Sequence, residues 1–145
     1  MNTATFRTNL KTLFDARSGV TTISGKMEKY PPGKLGTPNP TLFIGTINLV
    51  QEDLTLLPSS DLNRTYTVSG GGWGGGAGAT DTIFAAAEAK AQTLMSELEA
   101  TCLADQTING ACIQARLTTY ELGVVVEPDN VYFGVDWTIT VRDVS

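Results

Sequence analysis

Apolar residues fall on every second position from Val131 to Val141: Val131, Phe133, Val135, Trp137, Ile139 and Val141. Tyr132, Gly134, Asp136, Thr138 and Thr140 lie between them. A period of two marks a β-strand with one buried face and one wet face. It also points to an antiparallel sheet, because strands of a parallel sheet are buried on both faces and read as unbroken apolar runs. Two other stretches carry the helical period. Phe6, Leu10, Leu13, Phe14 and Arg17 predict an amphipathic helix over residues 3–17, with Asn2 or Thr3 as N-cap and Gly19 as a left-handed stop. Ile83, Ala87, Leu94, Leu98 and Cys102, with Phe84, Ala91 and Met95 beside them, predict a second helix over 81–103, capped by Thr80 or Asp81. Its alanines (Ala85, Ala86, Ala87, Ala89) favour helix and allow a neighbour to approach closely.

The remaining elements are shorter. Val20–Ile23 reads as a brief strand. Leu42–Val50 is apolar and β-branched, and Gly45 within it marks a bulge or a close approach. Arg64–Ser69 and Cys112–Glu121 read as strands, and Gly123–Glu127 as a short valine-rich run. Turns are expected over residues 54–62, at Asn109–Gly110 and at Pro128-Asp129-Asn130. Residues 30–40 (YPPGKLGTPNP) hold four prolines and two glycines and predict a loop. Seven of the residues between Ser69 and Thr80 are glycine, with Trp73 in their midst. So much backbone freedom is lost on ordering such a tract that it is expected to be mobile. The chain therefore reads as a single α+β domain over 1–145: a mostly antiparallel sheet packed against two helices, N-terminal and central, with mobile loops near 24–40 and 69–80.

Length agrees with one domain, since 145 residues can bury a core without a disulfide or metal. A net charge of −5 and ten scattered basic residues argue against sequence-independent nucleic-acid binding, which needs cations to displace counterions. Charged residues make up only 17%, a depletion shared by subunits of assemblies and by monomers with long polar loops. No apolar stretch reaches the ~20 residues needed to cross a membrane, and none near the N-terminus resembles a signal peptide. Synthesis in the cytoplasm is the expectation. Cys102 and Cys112 match no zinc or redox spacing and read as reduced, buried thiols, with a disulfide as the alternative.

Chemistry is sparsely signalled. Gly70, Gly72 and Gly75 satisfy G-x-G-x-x-G between a predicted strand and a predicted helix, the setting of a dinucleotide loop. A tract this glycine-rich matches by accident, however, and Asp81 would repel a phosphate at the helix N-terminus. No Walker lysine follows. The carboxylate pairs Glu52–Asp53, Glu97 with Glu99, and Glu127 with Asp129 read as solvated charges, and Asp136 lies on the wet face of the last strand. The chain has no histidine to activate a nucleophile or bind a metal. No catalytic, cofactor-binding or metal-binding residue is assigned. Tyr30, Trp73 and Tyr132 are the candidate partner contacts, as exposed aromatics that supply large area at low entropy cost, each also able to pack on the subunit itself.

The order of elements resembles the tail-terminator proteins of long-tailed bacteriophages, the lambda tail protein U-like group. The Phe6–Phe14 helix, the strand Arg64-Thr65-Tyr66-Thr67-Val68, the Asp81–Leu103 helix and the alternating Val131–Val141 strand carry the likeness. It spans nearly the whole chain and rests on pattern, with no diagnostic motif. The resemblance implies a virion protein of the tail or neck that forms a ring with itself, a hexamer in that group. The ring caps the tail tube and meets the head-completion or connector protein, and DNA at most passes through its lumen. It implies no catalytic residues, cofactor or membrane. Neck, head-completion and tail-tube proteins share this logic and remain open alternatives. So does a small cytosolic binding module that uses the glycine tract as a lid. The long glycine tract and the extended 24–40 loop depart from the group's usual pattern.

Overall fold

The computed structural model describes residues 1–54, 62–75, 80–128 and 130–144. Its elements run α1 (Thr3–Asp15), α2 (Ser18–Thr22), β1 (Lys26–Glu28), β2 (Thr41–Leu54), β3 (Leu62–Trp73), α3 (Asp81–Ala104), β4 (Gln114–Glu127) and β5 (Asn130–Val144). The strands form one sheet in the order β1-β2-β3-β5-β4, antiparallel except where β1 pairs with β2. The fold is thus α+β, with a sheet-dominated core and helices packed against one face. Asn2 caps α1 by accepting from the Thr5 N–H, and Thr80 caps α3 by accepting from the Ile83 N–H, each satisfying an otherwise orphaned donor.

The core lies between the helices and that face. Phe6, Leu10 and Phe14 of α1 and Leu94, Met95, Leu98 and Cys102 of α3 meet Leu42, Ile44, Val68, Trp137, Ile139 and Val141 of the sheet. The alternation of the last strand holds from Val135 to Val141: Trp137, Ile139 and Val141 are buried and Asp136 is exposed. Towards the start of β5 both faces are covered, because Tyr132 and Phe133 are both buried.

Gly45 sits at a register shift between Ile44 and Ile47, as a bulge. The bulge is used. The Arg7 guanidinium donates to the carbonyl oxygens of Ile44 (3.0 Å), Gly45 (2.6 Å) and Lys29 (2.7 Å), pinning α1 to the margin of the sheet.

Four expectations are corrected. Residues 18–22 are helical rather than a strand, and Gly19 lies inside that helix. A Cβ on Gly19 would overlap the Glu97 carboxylate, which is held there by Arg17 at 2.5 Å, so the glycine makes room for an ion pair. Lys26–Glu28, within the expected 24–40 loop, is a strand. Gly70 to Trp73 continue β3, paired on one side with β2 and on the other with β5. The glycine tract is therefore strand in its first part. Residues 76–79, the rest of the expected 69–80 loop, lie outside the described residues. So do 55–61, most of the expected 54–62 turn, and Asp129 of the last turn. Asn109 and Gly110 both take positive φ, as a turn there requires.

Candidate functional site

The strand content of the glycine tract decides the fate of the phosphate-loop pattern. Gly70 and Gly72 sit in the middle of a five-stranded sheet, and β3 has a neighbour on each side there. Their N–H groups serve the ladder rather than forming a free cradle at a helix N-terminus.

Of the three aromatic candidates, Trp73 and Tyr132 are brought together and Tyr30 lies apart. Trp73, expected to be exposed, is 2% exposed. It lies on the face of the sheet away from the helices, and the 30–40 loop folds over it. Its indole Nε1 donates to the Asn39 carbonyl at 3.0 Å. Its ring meets Tyr132 edge-on at 6.4 Å and Phe43 at 6.3 Å. Tyr132 is buried in the same cluster, and desolvation, then the nearby Glu127 charge, hold its phenol above the ordinary range. Tyr30 is elsewhere and 58% exposed, with the Arg7 guanidinium 4.5 Å above its ring. Of the three, only Tyr30 is available at the surface of the isolated chain.

Beside the aromatic cluster runs a groove of about 320 Å³. Its floor is Gly71, Gly123 and Gly134, and Phe43, Leu35 and Tyr132 form its walls. Glu121 and Asp136 stand at its rim as direct cross-strand neighbours, both exposed. The groove has space because glycines on three strands leave its floor without side chains. It presents two carboxylates and no thiol or imidazole, so it offers shape and negative charge. Among the described residues no group of three or more acidic, cysteine or histidine side chains is placed to hold a metal.

No protein-family model matches the chain, and no curated protein matches it either. Function must therefore be read from the surface.

The surface carries two apolar margins that the sequence signalled only through its valine run. β4 is the outermost strand on one side, and Tyr120, Val124 and Val126 are exposed on it, Val126 to 75%. On the other side β1 covers only Thr41–Phe43 of β2, and Leu49 and Val50 are exposed beyond it, Val50 to 63%. Long, apolar, uncovered edge strands are templates for pairing with another chain.

The cysteines belong to the core. Cys102 and Cys112 are free and buried. Burial, then the neighbouring Cys112, pushes the Cys102 thiol from its ordinary 9.0 up to about 12. Burial, then the charge of Asp143, pushes Cys112 up to about 11. A raised thiol pKa means that the unfolded chain releases these protons first. Stability is then fully present below about pH 9 and falls as pH rises towards the folded values. Between pH 9 and 11 Cys102 is expected to contribute a loss on the order of 1 kcal/mol per pH unit, with less from Cys112. Urea unfolding across that range checks this. The Cys102→Ala/Cys112→Ala variant should show a shallower decline, and parallel curves would contradict the assignment.

Proposed function

We propose that this chain is a structural virion protein of a phage tail or neck, a ring-forming subunit that caps the tail tube and joins it to the head connector, as the tail terminators it resembles do. It works by contact with copies of itself and with neighbouring tail components. The observation that carries the reading is the pair of exposed apolar edges on opposite sides of one sheet. A ring subunit needs two different patches that meet head to tail and close by rotation. A low share of charged residues agrees with a surface partly destined for contact. A neck, head-completion or tail-tube subunit would use the same surfaces and is the alternative station within this reading.

Light scattering coupled to size exclusion, at rising protein concentration, tests the reading. The expected result is a closed assembly of defined mass, visible as rings by electron microscopy. A strict monomer that gains thermal stability with a small ligand would overturn it in favour of a binding module.

A further inference from the structure

We infer that the ring closes by sheet extension, β4 of one copy pairing antiparallel with the open half of β2 of the next copy. The inference rests on the ring reading above for the identity of the occupant. Among the described residues, the outer edge of β4 is engaged only at its base, where the Ala115 N–H donates to the Gln106 carbonyl at 2.7 Å and the Leu117 N–H faces the Cys102 sulfur. From residue 118 to 127 no strand among the described residues lies against it, and that stretch contains neither lysine nor proline, the common guards of a free edge. The opposite margin has a complementary gap. β1 covers β2 only to Phe43, and Arg7 occupies the carbonyls of Ile44 and Gly45. Among the described residues no strand pairs with the outer side of β2 from residue 46 onward, and Leu49 and Val50 are exposed.

The directions agree. β2 is antiparallel to β3, β3 to β5 and β5 to β4, so β4 runs opposite to β2. A copy related by rotation, without inversion, therefore offers its β2 antiparallel to the first copy's β4. A two-fold pairing of β4 with β4 would leave Leu49 and Val50 open, whereas pairing β4 with β2 covers both margins of every subunit.

The open segments are not level, and the offset is informative. Through the ladder Leu49↔Tyr66↔Val141↔Ala115, the open part of β2 lies level with the base of β4. Counted along β5, bringing Leu49 beside Tyr120 needs a slide of four residues, roughly 13 Å, and beside Val124 eight residues, roughly 26 Å, at ~3.3 Å per residue. One subunit advances the sheet by four strand spacings, roughly 19 Å. A slide equal to the advance corresponds to a strand tilt of about 45°, within reach of the tilt of closed barrels. The stagger is thus what a tilted, closing sheet demands.

Leu49 shares the helix-side face with Tyr120, Val124 and Val126, so cysteines at these positions can meet across the junction. Leu49→Cys is mixed in turn with Tyr120→Cys, Val124→Cys and Val126→Cys under mild oxidation. At least one mixture is expected to give a disulfide-linked dimer, and the corresponding double variant a ladder ending at the ring mass, while no single variant cross-links with itself. Val124→Lys/Val126→Lys is expected to raise the concentration needed for assembly at least 10-fold with an unchanged monomer melting temperature. If rings form and none of the pairs cross-links, the junction is wrong and the ring reading stands. If a single β4 cysteine variant cross-links with itself, the two-fold pairing replaces it. If no assembly forms at any concentration, both fall.

Discussion

Trp137→Ala is expected to cost about 4 kcal/mol, within the 3–5 kcal/mol that follows deletion of a buried large aromatic. Trp137 is fully within the core and lies on the helix side of β5. Its indole covers Gly70 on the neighbouring strand so closely that a Cβ on that glycine would overlap the ring. Its Nε1 donates to the Gly71 carbonyl at 3.0 Å, in a buried position. Alanine would remove the ring and the donor together, and the strands cannot collapse into the gap because the β3–β5 ladder fixes their separation. Domains of this size hold about 5–15 kcal/mol, so the variant is left marginal. Urea unfolding should show the midpoint falling by about 2 M with an unchanged slope. Trp137→Phe keeps most of the apolar area and should lose about half as much. A shift under ~1 kcal/mol for the alanine variant would place the ring outside the core.

The same residue shows how the sequence carried the fold and where it stopped. The period of two around Trp137 is a local signal, and so are the helical stripes of α1 and α3 with their Asn2 and Thr80 caps. All three elements were legible because the information sits in a dozen adjacent residues. The first part of the glycine tract was not. Glycine carries no apolar or polar side chain, so a strand made of it shows no alternation. Its reason for being a strand lies in partners far along the chain: Trp137 over Gly70, and Phe43 over Gly71. The short helix α2 failed for a related cause. Val20, Thr21 and Thr22 favour strand locally. The helix is held instead by burial of Val20, by Thr21 and Thr22 hydroxyls donating to the Ser18 carbonyl, and by the Arg17–Glu97 pair across to α3. β1 has almost no signature, because three residues with charges at both ends become strand only by lying against β2. The aromatic candidates divide the same way. Tyr30 is exposed as expected, whereas Trp73 lacked a local neighbour in sequence and found Phe43 and Tyr132 in space.

Gly74→Ala is expected to be the next most damaging small change, at about 3 kcal/mol, the upper part of the range for overpacking a filled site. Gly74 is buried where the chain leaves β3, and its N–H donates to the Phe133 carbonyl at 3.0 Å. A Cβ there would overlap the carbonyl group of Ala87 and come within 3.1 Å of its Cα. The obstacle is helix backbone, which cannot rotate away as a side chain would. Relief requires α3 to move off the sheet near Ala87 and Ala91, which pack on Phe133. The loss should therefore be concentrated in the first half of α3. Amide hydrogen exchange of Gly74→Ala is expected to show faster exchange there, with the Leu94–Cys102 half better protected. Gly33→Ala is the control: nothing lies within 4 Å of a Cβ at that position, so its stability should stay within about 0.5 kcal/mol of the parent chain. Equal stability of the two variants would mean that β3 and α3 do not approach backbone to backbone, and the packing reason for a glycine at this point of the tract would be lost.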